Sequence, residues 1–358
     1  MANGKPSEGT YYHKGRGAQY NTGNRFLKHS VGKMHVEAID DWEHENPATV
    51  FLEENAKALV NKVDSPDVGM LYSMNPYQGC EHGCIYCYAR NSFEYWGWSA
   101  GIDFETKIIV KKNAPLLLSN FLMNPNWHCV PIALSGNTDC YQPAEKKFQI
   151  SRQLLQVASR FNQPISIITK NAGLLRDMDI LVPMAQKNLV SVMVSITSLN
   201  EALRRVMEPR TTTAQQRLRL IEELSKAGVP TGVMAAPMIP GLNDHELHDI
   251  LKAAASAGAI NAGYTFVRLN GAIQFLFHDW LFKNFPDRAN KVWHLIESGH
   301  GGKVNDSEWS RRMKGDGNIA AMIAMQFKQF KKRFGYKSGG FDLDCSKFQR
   351  PGSQITLF

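Results

Sequence analysis

Ile165-Ser166-Ile167-Ile168-Thr169 and, after an intervening helical stretch, Val190-Ser191-Val192-Met193-Val194-Ser195 are the runs on which the fold turns. Both are short and dominated by β-branched residues, the mark of strands covered on both faces. The pattern extends in both directions. Upstream, Ile108-Ile109-Val110 and Pro131-Ile132-Ala133-Leu134-Ser135 read as strands, followed by a helix over about 145–161 with Leu154, Ala158 and Phe161 on one face. Downstream, Leu218, Ile221 and Leu224 mark a helix that Gly228 stops, and Val233 to Met238 is strand-like. Asn243 or Asp244 is the expected cap of a helix carrying Leu247, Ile250 and Leu251, and Tyr264 to Leu269 closes the series. Repeated strand–helix units imply a parallel sheet with helices outside. About six units fit between residues 70 and 270, too few for a closed eightfold barrel. The expected fold is therefore α/β, a partial (β/α)6 barrel of the TIM type, with ligands at the carboxyl ends of its strands.

Ahead of most of these runs stands Cys80-Glu81-His82-Gly83-Cys84-Ile85-Tyr86-Cys87. The spacing is C-x3-C-x2-C, and no fourth cysteine completes the set. A four-iron cluster ordinarily takes four thiolates. Three from one loop leave one iron open, and an open coordination position is where chemistry happens. Zinc would prefer a second C-x2-C pair or closing histidines, yet Cys129 and Cys140 are too far apart and Cys345 stands alone. A disulfide framework is disfavoured by only six cysteines in 358 residues and by a start that lacks a charged-then-apolar signal segment. Cys80, Cys84 and Cys87 are thus the expected ligands of a 4Fe-4S cluster.

This motif resembles that of the radical S-adenosylmethionine (SAM) enzymes, whose fold is also a partial barrel. The resemblance implies that the amino and carboxylate groups of SAM chelate the open iron. One electron from the cluster would then cleave SAM to methionine and a 5′-deoxyadenosyl radical that removes a hydrogen atom from substrate. The strand ends supply candidates for the SAM pocket. Gly136 and Asn137 lie where such enzymes hold the methionine amino group, and Lys170 could pair with a carboxylate. Ser195 and Thr197 suit a ribose or carboxylate, Arg210 could be a bidentate clamp, and Ala235 opens a stretch of small residues on which adenine could lie.

A narrower resemblance covers roughly residues 65–270. Asn75-Pro76-Tyr77-Gln78-Gly79-Cys80, Cys84-Ile85-Tyr86-Cys87-Tyr88-Ala89-Arg90, Thr138-Asp139-Cys140-Tyr141-Gln142-Pro143, Thr169-Lys170 and Ile239-Pro240-Gly241-Leu242-Asn243-Asp244 are similar to bacterial proteins grouped with spore photoproduct lyase. Those enzymes reverse a covalent thymine dimer in DNA. The resemblance implies that Tyr86 and Tyr88 belong to a hydrogen-return relay and that Cys140 donates a hydrogen atom. Cys140 follows the Asp of its loop where the lyase's donor precedes it; a buried small hydrophobe is the alternative, with Tyr141 as another relay group. Phe93, Tyr95, Trp96 and Trp98 are either core or a stack for an extruded base.

Composition is that of an ordinary globular chain, 43% hydrophobic and 21% charged, with a net charge of +8. The mild basic bias suits a DNA partner. No apolar run approaches the ~20 residues needed to cross a bilayer, so no membrane association and a cytoplasmic location are expected. Residues 1–64 read as a basic, partly flexible arm with Lys5, Lys14, Arg16, Arg25, Lys28 and Lys33 against Glu8. A second basic stretch holds Arg311, Arg312, Lys314, Lys328, Lys331, Lys332, Arg333 and Lys337; both could grip phosphates or simply be solvated. Residues 65–275 are assigned to the barrel, 276–348 to a helical C-terminal region, and 349–358 to a flexible tail. Gln354-Ile355-Thr356-Leu357-Phe358 resembles the peptide by which bacterial repair proteins dock on the DNA sliding clamp, or it docks on its own domain. The expected function is a radical SAM enzyme repairing damaged DNA as a photoproduct-lyase-like enzyme, served by a reductase, flavodoxin or ferredoxin as electron donor. Its alternatives are modification of RNA, a peptide or a small molecule, and a DNA-bound iron–sulfur redox sensor without turnover.

Overall fold

The structure is a computed structural model that describes residues 12–27 and 47–352. Seven strands form the main sheet: β2 (Val60–Lys62), β3 (Tyr72–Met74), β6 (Ile132–Leu134), β7 (Ile165–Thr169), β8 (Val190–Ser195), β9 (Thr231–Met238) and β10 (Asn261–Phe266), in the order β10-β9-β8-β7-β6-β3-β2. All pairs from β3 to β10 are parallel, and only β2 runs antiparallel on the edge. Six parallel strands make the partial barrel. The buried faces follow the sequence: Ile165, Ile167, Val190, Val192, Val194 and Val233 are almost fully enclosed. Helices Ile150–Phe161, Met178–Gln186, Ala214–Lys226 and Leu247–Ser256 cover the outside. Thr213 and Gln216 start the third of these with a reciprocal capping box.

Two expectations about strands change. Ile108-Ile109-Val110 does form a strand, β5 (Lys107–Lys111), but it pairs with β1 (Val50–Glu54) and β4 (Tyr77–Gln78) in a separate three-stranded sheet. The first barrel strand is instead β3, only three residues long, and Asn75-Pro76 leads out of it toward the cysteine loop. So short a strand carries no legible periodicity. Asn243 also has another task than capping. Its side chain accepts from the Ile239 amide at 2.6 Å and donates to the carbonyls of Thr197 and Pro237, tying the ends of β8 and β9 together.

After β10 the chain is helical, over Ile273–Asn284, Ala289–Ser298 and Gly317–Arg333, with Asp316 capping the last. The segment between the last two helices spans the open edge of the barrel. Met313 and Val304 carbonyls accept from Phe266 and Leu269 on the β10 side, at 2.9 and 3.0 Å. On the other side Asp67, in the β2–β3 turn, takes Arg312 Nε and the Ser310 amide, both at 2.6 Å.

The basic segments are less free than their composition suggests. Arg16 is 2% exposed, donating to the carbonyls of Glu105 and Pro47, so it is unavailable to a phosphate. Arg25, Arg311 and Arg312 are paired with Glu94, Asp306 and Asp67. Gln354–Phe358, with Lys5, Glu8, Lys28 and Lys33, lies outside the described residues. Among the described residues no helix is long and apolar enough to cross a membrane.

Candidate active site

The cysteine loop is shaped by one buried arginine. Arg90, fully enclosed, donates to the carbonyls of Cys84, Gly83, Ala100 and Gly101 at 3.0–3.1 Å and to Glu105 at 2.5 Å. All five N–H groups of its guanidinium are used, which is why a planar fork and not a lysine suits this position. Glu105, itself fully buried, also accepts from the amides of Gly17 and Ala18 at 3.0 and 2.8 Å. The N-terminal strand of chain thus passes directly behind the loop. A side chain at Gly17 would run into the Gly83 carbonyl, and Gly83 has a left-handed φ of +67°.

The loop after β6 closes the other side. Gln142 accepts from the Glu81 amide and donates to the Gly79 carbonyl, both at 3.0 Å, while Thr138 donates to the Tyr77 carbonyl at 2.6 Å. Asp139 is the hub: it accepts from the amides of Tyr141 and Lys170, from Thr169 Oγ1, and faces His82 Nδ1 at 3.4 Å. Burial alone would raise its carboxyl, but His82 and the amide donors outweigh this and hold it at about 2. One carboxylate so links the ends of β6 and β7 to the cysteine loop.

A second network lies beneath the loop at the end of β8. Glu208 and Arg217 form an ion pair at 2.7 Å, each 1% exposed. Glu208 also accepts from Tyr86 Oη and from Thr197 Oγ1, and Arg217 donates to the carbonyls of Ser195 and Thr212. Burial would raise Glu208; Arg217 and Lys170 more than offset it and bring the carboxyl to about 2.

Cys80 and Cys84 are nearly buried and Cys87 half-buried, and all three are free thiols. Burial pushes each of them up, and Cys80 is pushed further by Asp139 and by its two neighbours. Three thiols that raise one another in a desolvated loop become thiolates only where a cation joins them. That donor set fits an iron–sulfur cluster, and Lys170, its Nζ 5.9 Å from the Tyr86 ring, adds a positive charge beside Cys84. Burial would lower the Lys170 ammonium, but Cys84 and Glu208 raise it. Among the described residues Lys170 Nζ has no hydrogen-bond or ion-pair partner.

The expected site residues divide. Cys80, Cys84, Cys87 and Tyr86 share one loop and Lys170 lies beside it, although no three His, Cys, Asp or Glu side chains among the described residues stand close enough to hold a metal ion. Tyr88 is 53% exposed with its hydroxyl 2.6 Å from the Gly136 carbonyl. Asn137 Nδ2 reaches Ser92 Oγ at 3.1 Å and Gln78 at 3.4 Å, and a side chain at Gly136 would strike Ser73. Other candidates are enclosed or already engaged by neighbouring groups. Cys140 is fully enclosed, its amide donating to Ser135 Oγ at 2.7 Å and its carbonyl accepting from Ser151 Oγ at 2.5 Å, and Tyr141 is buried on Asp177 at 2.9 Å. Both face the core because the loop turns inward after Asp139. The Thr197 hydroxyl is committed to Glu208 and to the Ala236 carbonyl, Ser195 and Ala235 are buried, and Arg210 turns outward to the Gly15 carbonyl and Glu81. Phe93 is core, whereas Tyr95 and Trp96 are exposed. A cavity of 260 Å³ walled by Asn200, Leu203, Leu242, His245, Phe285 and Arg288 includes none of these residues.

Sequence reading missed Arg90, Glu105, Asp139, Glu208 and Arg217 as a scaffold. Asp139 and Arg90 were visible inside quoted motifs, but nothing local distinguishes a buried ion pair from a surface one.

The model of the family described as the Radical SAM superfamily matches residues 74–254. An uncharacterized protein of Mycobacterium tuberculosis strain H37Rv is 35% identical over 254 residues, covering 70% of this chain and 74% of that one. An uncharacterized protein of Methanocaldococcus jannaschii is 26% identical over 242 residues, 68% of this chain and 86% of that one. The structure of spore photoproduct lyase complexed with dinucleoside spore photoproduct superposes with a TM-score of 0.59 at 15% identity, covering 84% of this chain and 86% of that chain. The likeness is one of fold.

Proposed function

The chain belongs to the radical SAM superfamily, and from that premise we propose that it acts on damaged DNA as a photoproduct-lyase-like enzyme, with Cys80, Cys84 and Cys87 holding its cluster. As a member of that superfamily it is an enzyme that uses a 4Fe-4S cluster and SAM and needs an electron donor. When bound, these groups supply an electron to the sulfonium and a 5′-deoxyadenosyl radical to the substrate.

The chain's own residues do the rest. Arg90 and Glu105 fix the backbone of the loop that carries the three thiols. Lys170 is the cation left for a carboxylate, and Gly136 and Asn137 line the approach opposite it. Asp139 keeps these two strand ends in register, so the spacing between the amino-binding and carboxylate-binding groups is rigid.

The observation that carries the lesion reading is the pair of tyrosines on either side of Cys87. Tyr86 is buried, its hydroxyl held by Glu208 and Thr197, whereas Tyr88 is half-open with its hydroxyl on the Gly136 carbonyl. Tyr88 is the group placed to return a hydrogen atom to a product, with Tyr86 behind it. Cys140 and Tyr141 are assigned to the core instead. The spore photoproduct lyase named above carries a dinucleoside lesion, and the net charge of +8 favours a nucleic-acid partner.

The test is anaerobic. The reconstituted protein, SAM and a strong reductant are incubated with ultraviolet-irradiated or intact DNA, and 5′-deoxyadenosine and altered bases are quantified. The lesion should disappear from the irradiated sample. SAM cleavage with every DNA base unchanged would refute the DNA reading and move the substrate to RNA, a peptide or a small molecule.

A further inference from the structure

Each tyrosine beside Cys87 has a cation near it whose side chain makes no hydrogen bond or ion pair among the described residues. Lys170 is on the Tyr86 side, within reach of Cys84 and Glu208. On the Tyr88 side is Arg268, two residues beyond the end of β10 and half-buried between the enclosed Val267 and Leu269, in a segment held to the chain after Tyr88 by Asn91, which donates to the Asn270 carbonyl at 2.8 Å and accepts from the Ala272 amide at 3.1 Å. Among the described residues no carbonyl, hydroxyl or carboxylate accepts from its guanidinium.

The acids around it are already engaged. Asp67 takes Arg312 Nε at 2.6 Å and the Ser310 amide at 2.6 Å. Asp306 takes Arg311 and the Glu308 amide. Arg312 adds a second positive charge close enough to act against Arg268. A guanidinium keeps its charge and carries five N–H donors. Half-desolvated, beside a like charge and with no acceptor, it costs free energy in the unliganded protein. An arriving anion reverses that cost.

The ligand is not the one Lys170 serves. Lys170 follows the end of β7, whereas Arg268 follows the end of β10, three strands away along the sheet. Beside it the Trp309 ring lies 3.8 Å under the Arg312 guanidinium and is 50% exposed, a flat face at the same rim. Strand end, open tyrosine, unpartnered cation and exposed indole together describe a place for a charged strand bearing flat bases.

We propose that Arg268 anchors the substrate through a backbone phosphate of nucleic acid, on the Tyr88 side of the mouth, while Lys170 serves the cofactor. The assignment rests on the DNA reading above. Its test is fluorescence anisotropy of a fluorescein-labelled, thymine-rich, ultraviolet-irradiated oligonucleotide on the cluster-reconstituted protein, over a range of salt. Arg268→Ala should weaken binding about tenfold and reduce the salt slope by about 0.7–0.9, the loss of one phosphate contact. Arg268→Lys, which keeps the charge, should restore the slope and most of the affinity. Wild-type binding with an unchanged Arg268→Ala overturns the anchor alone and leaves the DNA reading standing. Arg268→Lys as weak as Arg268→Ala also overturns it, since the residue would then act through packing. So does an Arg268→Ala protein that binds the oligonucleotide normally but has lost affinity for SAM. A wild-type protein that binds no oligonucleotide overturns both readings at once.

Discussion

Strand β8 and the chain that follows it are equally buried and held by opposite means. Along the strand, Val190, Val192 and Val194 are fully enclosed, and removal of such side chains from water contributes roughly 1.5–3 kcal/mol each. Past its carboxyl end, Thr197, Glu208 and Arg217 are just as enclosed but polar, and each stands only because named partners meet it. The aliphatic region tolerates swaps of similar volume. The polar region does not, because removing one partner strands another in a desolvated place. That intolerance is useful at the mouth of a barrel: hydrogen bonds have directions, and those from Glu208 and Thr197 fix the position of Tyr86.

Mutations can break this contrast. The largest effect is expected in the cysteine loop that the polar region supports, where Cys84→Ala should abolish iron binding and SAM cleavage together. Iron content and visible absorbance after anaerobic reconstitution check it, and an unchanged iron content would sink the cluster assignment. Arg217→Met should follow, leaving Glu208 uncompensated at a cost of about 3–5 kcal/mol, read by urea denaturation, with iron retention reduced as Tyr86 loses its anchor. Val192→Ala in the strand should cost about 1–3 kcal/mol with iron retained; equal iron loss in both variants would erase the distinction drawn here.

Acid should separate the regions without mutation. Glu208 lies at about 2 in the folded protein against an ordinary 4.5, so its ionised form stabilises the fold. That contribution is complete above about pH 5 and drains away as the pH falls toward about 2. Glu208→Gln should flatten the acid limb of the stability curve, and an unaltered limb would count against the network. The smallest effect on stability is expected from Tyr88→Phe, about 0.5–1.5 kcal/mol. Its consequence should lie in function, as a lower yield of repaired DNA at unchanged iron content.

The legible part of the protein was its repetition and its thiols. Five of the six barrel strands and their helices were visible as β-branched runs and apolar faces, because burial on two sides leaves a compositional trace. Tyr72–Met74 was invisible, since three residues hold no period, and Ile108–Val110 looked like a barrel strand because pairing partners are not written in a strand. Cys140 shows the limit most clearly. Its motif suggests chemistry, and a turn after Asp139 places it in the core.

The sequence by itself determined a parallel α/β architecture, a three-thiol loop ahead of it and Lys170 at a strand end, because each is a local pattern of residue types. Tertiary structure alone decided that Arg90 and Glu105 clasp that loop and that Asp139 and Glu208 orient its neighbours. It likewise decided that the Arg268 guanidinium meets no acceptor among the described residues. Those facts depend on which polar groups meet across long stretches of chain, 122 positions where Tyr86 meets Glu208. A charged residue has the same letter whether water or another side chain satisfies it.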